Sequence, residues 1–257
     1  MKNYVMITGA SFGIGEALAY KSAEIGYNLI LIARSEEKLK YIKAEILKTY
    51  DIKVEIIKCD LSSILEFQNL EIIINKYNID ILINNAGFGY YHLVKNQNLE
   101  KINNMIDLNI KSLTYLSTYF VNKYTTTKNK KYLVNISSTG GYTNVPNAVS
   151  YCATKFYVSA FTEGLAEELK SINSNLSVKV FAPSVTKTKF GEIASGNKEY
   201  QYAKIFNKYN TAEEIANYIY ELLNSDEVVG YINRETYDFE KTNLKFDYDY
   251  LRLQNKK

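Results

Sequence analysis

The stretch YVMITGASFGIG, Tyr4 to Gly15, decides the fold. Its opening residues are apolar and β-branched, as a strand inside a sheet requires. Gly9, Gly13 and Gly15 follow at once. Residues 13–26 then place Ile14, Ala17, Leu18, Ala19 and Ile25 on one side of a helix, with Gly26 as a stop signal. Strand, glycine turn and helix in this order make a cradle for a pyrophosphate. Glycine permits positive φ and close backbone approach, and a helix start offers unpaired N–H groups and a favourable dipole. Gly9, Ser11, Phe12, Gly13, Ile14 and Gly15 are therefore candidate cofactor-binding residues. No Lys-Ser/Thr pair follows the last glycine, so this is not a triphosphate-binding P-loop.

Working outward, strand-like and helix-like segments alternate. NLILIA at 28–33 is a continuous apolar run, expected of a parallel strand buried on both faces. Residues 35–50 form a Lys/Glu-rich amphipathic helix, and VEIIK at 54–58 is a strand. A helix from about 63 to 77 is capped by Ser62 or Ser63, and IDILIN at 79–84 is the fourth strand. The stretch from about 98 to 124 reads as one long helix, KYLVNIS at 131–137 as a strand and 150–171 as a helix. LSVKVFA at 176–182 is the sixth strand; Thr211 and Glu214 have capping-box spacing before a helix ending near Leu223; VVGYI at 228–232 is a short last strand. The expectation is an α/β fold: a doubly wound parallel sheet of about seven strands with helices on both faces, in a single domain over 1–257. Two segments break the alternation. Residues 187–210 read as a polar, Tyr-rich substrate-binding loop, and 234–257 as an aromatic tail carrying Tyr237, Phe239, Phe246, Tyr248 and Tyr250.

Composition narrows the function. The chain has 257 residues, 46% hydrophobic and 23% charged, enough to bury a large core without metals or disulfides. Lys and Arg number 31 against 28 Asp and Glu, a balance too even to argue for nucleic acid or an anionic membrane. Two cysteines, Cys59 and Cys152, make no disulfide framework, and one histidine leaves no Cys/His metal site. That histidine, His92, would have to be the base of any Ser-His-Asp or Cys-His hydrolase, and no motif around it supports that. No secretory signal and no run near 18 apolar residues is present, so the expected compartment is the cytosol.

The end of the second strand bears on cofactor choice. Dinucleotide-binding units that take NAD carry an acidic residue about 20 residues past the glycines, on the ribose 2′-hydroxyl. Here Ala33, Arg34 and Ser35 stand there. A carboxylate would repel a 2′-phosphate, whereas a guanidinium pairs with it, so Arg34 argues for NADP(H). Asp60, closing the third strand, is a candidate partner for the adenine amine, with Leu61 beside the ring, or a cap for the third helix; both can hold. Further along, Asn84 to Gly87 read NNAG, Asn109 sits in DLNIKSL, Ser138 follows the fifth strand, and Tyr151 and Lys155 form Y-x-x-x-K. At i, i+4 the Tyr and Lys share a helix face. A cation about 4 Å from a phenol with pKa near ~10 stabilises the phenolate by ~4 kcal/mol, enough to bring it toward neutral pH.

These motifs, in this order and spacing, resemble the short-chain dehydrogenase/reductase family, in its single-domain branch, over about residues 3–190. The resemblance implies an oxidoreductase moving a hydride between NADP(H) and a carbonyl or secondary alcohol. It implies Tyr151 as acid/base, Lys155 binding the nicotinamide ribose and lowering the Tyr pKa, Ser138 on the substrate oxygen, and Asn109 holding a relay water. It puts Asn85, Ala86 and Gly87 along the adenosine-ribose side. Pro183 and Ser184 stand where the family has Pro-Gly; Val185 and Thr186 are then expected at the carboxamide and Thr188 near the phosphates. Family members also pair helices like those at 98–124 and 150–171 in homodimers or homotetramers. The partner is a small molecule, neither nucleic acid nor membrane, and no metal is expected. Specificity is expected in 88–96, 140–148 and 187–210, where Tyr90, Tyr91, Tyr142, Val145 and Phe190 suggest a partly apolar pocket. Rival readings are a cofactor-binding sensor or scaffold without turnover, an NAD-dependent dehydrogenase, and a sugar-nucleotide epimerase, for which the C-terminal part is too short. Cys152 reads as a buried thiol and His92 as a loop residue.

Overall fold

The computed structural model describes residues 3–249. The expectations for Tyr250 and the last seven residues lie outside that range. The strands are β1 (Tyr4–Thr8), β2 (Asn28–Ala33), β3 (Val54–Lys58), β4 (Ile79–Asn84), β5 (Lys131–Ile136), β6 (Leu176–Ala182), β7 (Thr186–Lys187), β8 (Asn210–Thr211), β9 (Val229–Ile232) and β10 (Phe239–Thr242). The helices are α1 (Gly13–Ile25), α2 (Glu36–Thr49), α3 (Ile64–Ile74), α4 (Leu99–Ile106), α5 (Leu113–Tyr124), α6 (Val149–Ser171), α7 (Phe190–Ser195), α8 (Tyr202–Ile205) and α9 (Ala212–Leu223).

The main sheet has eight strands in the order β10-β9-β6-β5-β4-β1-β2-β3. All neighbours pair in parallel except β10, which runs antiparallel to β9. This is the doubly wound Rossmann-like fold expected from the sequence. The strand order reverses between β1 and β4, where such sheets open a crevice at their carboxyl ends. Alternation within each strand fills both faces. Val5, Ile7, Leu29 and Leu31 join one core with α1, α2 and α9, while Met6, Ile30, Ile32 and Leu82 join the other with α3, α5 and α6. All six residues of β2 are buried, as its unbroken apolar run requires.

Four local features differ from the sequence reading. First, the helix expected over 98–124 is two α-helices joined by a π-helical turn, Asp107–Ser112, which carries Asn109. Second, residues 187–210 are not an irregular loop: β7 pairs with β8 and the short helices α7 and α8 lie between them. Third, part of the expected tail is the edge strand β10. Fourth, α3 begins after Ser63 with no side-chain cap. The capping box of α9 is present as expected: Glu214 N donates to Thr211 Oγ1 at 3.1 Å and Thr211 N to Glu214 Oε2 at 2.8 Å.

Candidate active site

The glycine turn and the NNAG segment face each other across the crevice, and Thr8 ties them together. Its hydroxyl accepts from Asn85 N at 2.9 Å and from Ala86 N at 3.0 Å. Asn85 Nδ2 in turn donates to the carbonyls of Thr8 and Gly9 at 3.0 and 3.3 Å. The turn tolerates nothing larger than glycine. A Cβ on Gly9, which has φ +65°, would lie 2.9 Å from Ala86 Cα; one on Gly15 would lie 2.3 Å from the Gly9 carbonyl oxygen. Gly13, at φ +60°, is covered by the Thr188 side chain. At its N-terminus α1 has Phe12, which forms no side-chain cap, so its first N–H groups have no capping side chain. Tight backbone, open helix start and no acidic cap fit a dinucleotide diphosphate.

Arg34 is exposed at the end of β2, with no ion pair among the described residues. Its charge acts on Asp60, just past the end of the neighbouring strand β3. Partial burial of Asp60 is outweighed by hydrogen bonds from the Ser62 hydroxyl and backbone, and its carboxyl sits below the usual range. Asp60 thus closes a turn ahead of α3 rather than capping it. Leu61, expected beside an adenine ring, is buried in the core among Ile32 and Ile57.

Beyond β5, the chain turns sharply through a single 3-10 turn, Thr139–Gly141. Ser137 and Ser138 point to opposite sides. Ser137 Oγ enters α6, donating to the Lys155 carbonyl at 3.0 Å. Ser138 Oγ accepts from Gly140 N at 3.0 Å and faces Tyr151 across Gly140, where a Cβ would lie 3.4 Å from Ser138 Oγ and 3.8 Å from Tyr151 Cε1. Tyr151 is 6% exposed. Tyr91 and Phe190 flank its ring, with centroids 5.7 and 5.5 Å away. Phe190 seats on Gly89, where a Cβ would lie 2.9 Å from its Cζ, and Tyr91 N donates to the Ala194 carbonyl at 2.8 Å. The segment around α7 therefore covers the Tyr151 ring. Tyr90 and Val145 join this cluster as expected. Tyr142 does not: its hydroxyl turns away into α6 and donates to Glu163.

Lys155 is buried on the same helix face. Its Nζ donates to the Ile136 carbonyl at 2.8 Å and lies 6.0 Å from the Tyr151 ring centroid. Burial lowers the Lys155 pKa to about 8. Burial also raises the Tyr151 pKa, against the opposing effect of the Ser138 hydroxyl. This differs from the sequence expectation of a phenol brought down by its lysine, because burial acts on both groups and the ammonium is aimed at a carbonyl. Asn109 is committed as well: Nδ2 donates to the Phe88 carbonyl at 3.0 Å and Thr154 Oγ1 at 3.1 Å, and Oδ1 accepts from Phe88 N at 3.1 Å. Gly87 completes the group, since a Cβ there would lie 3.0 Å from Asn109 Oδ1 and 3.5 Å from Lys155 Nζ.

Pro183 and Ser184 keep ordinary backbone: among the described residues only Asn147, Asn173 and Tyr237 have positive φ without being glycine. The Pro183 carbonyl accepts from Thr139 N at 2.9 Å, and the Val185 carbonyl from Asn210 N at 3.0 Å. Thr186 Oγ1 donates to the Ser184 carbonyl at 3.0 Å. His92 meets Tyr90 in a tilted ring contact with centroids 4.4 Å apart, and both cysteines are free and buried. No group of metal-ligating side chains and no helix long and apolar enough to cross a membrane occurs among the described residues.

The family model described as short chain dehydrogenase matches residues 3–198. The chain is 34% identical over 186 residues to an uncharacterized oxidoreductase of Staphylococcus saprophyticus, covering 72% of this chain and 74% of that protein. It is 31% identical over 214 residues to the 3-oxoacyl-acyl-carrier-protein reductase of Rickettsia bellii, covering 82% and 85%. Its fold matches a short-chain dehydrogenase from Sphingobium yanoikuyae in complex with NADPH, with a TM-score of 0.82, 27% identity and coverage of 91% and 89%. Matched over most of its length in both sequence and fold, the chain belongs to the short-chain dehydrogenase family of nicotinamide-dependent oxidoreductases.

Proposed function

We propose that this chain transfers a hydride between NADP(H) and a carbonyl or secondary-alcohol substrate, with Tyr151 as the acid/base. The convergence of Ser138, Tyr151 and Lys155 at the carboxyl edge of the sheet carries the reading. A bound nicotinamide supplies the hydride in reduction and takes it in oxidation. The chain's own residues handle the oxygen. Ser138 and Tyr151 present two hydroxyls to one substrate oxygen, where negative charge builds during reduction. Tyr151 then releases its proton to that oxygen. Lys155 holds a positive charge beside the phenol and under Gly87, where a ribose would lie. Asn109 spends its side chain on Phe88 and Thr154, so it fixes the Gly87–Phe88 backbone against Lys155.

The NADP(H) preference rests on Arg34 at a strand end without a carboxylate. The substrate is a small molecule with an apolar part, since Tyr91, Phe190 and Val145 surround the phenol. The test offers NADPH and NADH separately to purified protein with ketones, ketosteroids and 3-oxoacyl thioesters, following nicotinamide absorbance. Tyr151→Phe is expected to bind NADPH as before and to lose at least ~10²-fold in kcat. Full turnover by that variant removes Tyr151 as the acid/base. NADPH binding with no turnover on the whole panel favours the sensor reading.

A further inference from the structure

Glu163 lies about three turns after Tyr151 on α6 and has no part in the chemistry above. It is 2% exposed. A carboxylate this buried is tolerated only when its lone pairs are used. Here Oε1 accepts from the Tyr142 hydroxyl at 2.5 Å, and Oε2 accepts from Lys245 N at 2.7 Å and Phe246 N at 3.0 Å. All three donors come from outside its helix. The Tyr142 ring stacks on Phe246 at 5.3 Å and 29°, and Phe156 of α6 also meets Phe246, with ring centroids 6.4 Å apart. One buried carboxylate thus gathers α6, the end of the serine loop and the segment after β10.

The connection continues to the reacting groups. The Ser159 hydroxyl lies 2.7 Å from Ser137 Oγ and acts on the Tyr142 hydroxyl, opposing the rise that burial gives its pKa. Ser137 precedes Ser138 and donates to the Lys155 carbonyl. The loop between is pressed flat on α6: a Cβ on Gly141 would lie 2.4 Å from Ser137 Oγ and 2.6 Å from both the Lys155 carbonyl and Ser159 Oγ. Gly141 N and Tyr142 N donate to the Ser138 and Thr139 carbonyls at 2.8 and 3.1 Å. Any lift at Tyr142 is therefore passed to Ser138, whose aim at Tyr151 depends on the same turn.

We infer that residues 243–249 are a strap, anchored by Glu163, that positions the Ser138 loop for catalysis. Glu163 is a positioning residue in this scheme, and the catalytic part rests on the function proposed above. The test compares Glu163→Ala, Glu163→Gln and Phe246→Ala in the full chain. Gln keeps one oxygen for the two backbone N–H groups, and its amide can donate to the Tyr142 hydroxyl, which turns from donor to acceptor. Ala leaves all three donors unpaired. Glu163→Ala is expected to lower kcat by about tenfold or more, with the NADPH dissociation constant within about twofold of wild type. Glu163→Gln is expected to return kcat to within about threefold. Amide exchange at residues 139–142 is expected to speed at least ~tenfold in Glu163→Ala and to a smaller extent in Phe246→Ala. A Glu163→Ala protein with wild-type kcat and unchanged exchange overturns the inference. So does Glu163→Gln losing as much kcat as Ala. If Glu163→Ala does not fold, unchanged exchange at 139–142 in Phe246→Ala overturns it. Exchange needs no turnover, so failure of the wild type to reduce any carbonyl would count against the reductase reading and leave the strap to be judged on exchange.

Discussion

Two glycines, one on the loop after β5 and one inside α6, should respond to the same substitution with opposite sign. At Gly141 an added Cβ meets Ser137 Oγ at 2.4 Å and the Lys155 carbonyl and Ser159 Oγ at 2.6 Å. One of these atoms is backbone of α6, so the loop must lift. Overpacking of this kind costs about 1–3 kcal/mol. Lifting also breaks the Ser137 hydrogen bonds to Lys155 and Ser159, at about 0.5–1.5 kcal/mol each. The sum is roughly 2–6 kcal/mol, which for a chain of this size lowers Tm by roughly 4–24 °C. At Gly164, inside α6, an added Cβ meets nothing within 4 Å. There the gain in helix propensity is about 0.5–1 kcal/mol, raising Tm by roughly 1–4 °C. Calorimetry on Gly141→Ala and Gly164→Ala under one buffer checks both. Gly141→Ala melting within about 1 °C of wild type would show that the serine loop does not bear on α6, and the argument for its rigidity would fall.

Arg34→Ala is expected to weaken NADPH binding by about 10–150-fold, the equivalent of a charge-assisted hydrogen bond of ~1.5–3 kcal/mol, and to leave NADH within about twofold. Equal loss for both cofactors, measured by nicotinamide fluorescence titration, would sink the 2′-phosphate assignment. The cysteines give a second check. Burial first, and then Glu66 and Asp60, pushes the Cys59 thiol up to about 12, and burial also raises Cys152. A thiol-reactive disulfide at pH 8 should therefore find no fast thiol in the native protein and two after unfolding in guanidinium. The linkage has a definite sign. An unfolded cysteine ionises near ~8.5, so the share of stability Cys59 contributes is intact below that pH and is lost as pH rises toward 12. One fast-reacting thiol in the folded state would contradict its burial.

The parallel core of the fold was legible because burial on both faces leaves a strand no choice but an apolar run, as in NLILIA. What was not legible depended on partners distant in the chain. FEKT at 239–242 has no strand signature of its own; it is a strand because β9 offers an edge, with Phe239 opposite Ile232 and Thr242 opposite Val229. Residues 187–210 show no period, yet the Val185 carbonyl and the Tyr202 hydroxyl, which accepts from Gly191 N at 3.0 Å, order them. The π-helical turn at Asp107–Ser112 alters only the phase of the apolar pattern, and composition carries no trace of it.

The site divides in the same way. Glycines announce themselves because the backbone excludes every alternative, as the 2.3 Å clash at Gly15 shows. Thr8 and Glu163 leave no such mark, since each works through atoms some 77 to 83 residues away. Tyr142 was misread for a related reason: its position on the serine loop is local, but its direction is set by Glu163. The Tyr151–Lys155 pair shows the limit of spacing most clearly. An i, i+4 relation fixes a shared helix face and leaves open where a flexible lysine sends its charge. Here the charge goes to the Ile136 carbonyl, and burial then acts on each group alone, lifting Tyr151 and lowering Lys155 to about 8. Tyr151 consequently keeps its proton in this structure, the state needed to donate to a reduced carbonyl. To act as a base in the reverse direction, it must first gain charge stabilisation. Lys155, with Nζ 6.0 Å from the Tyr151 ring centroid, and the Ser138 hydroxyl are the groups placed to supply it, so the aim of the serine loop weighs more heavily on oxidation than on reduction.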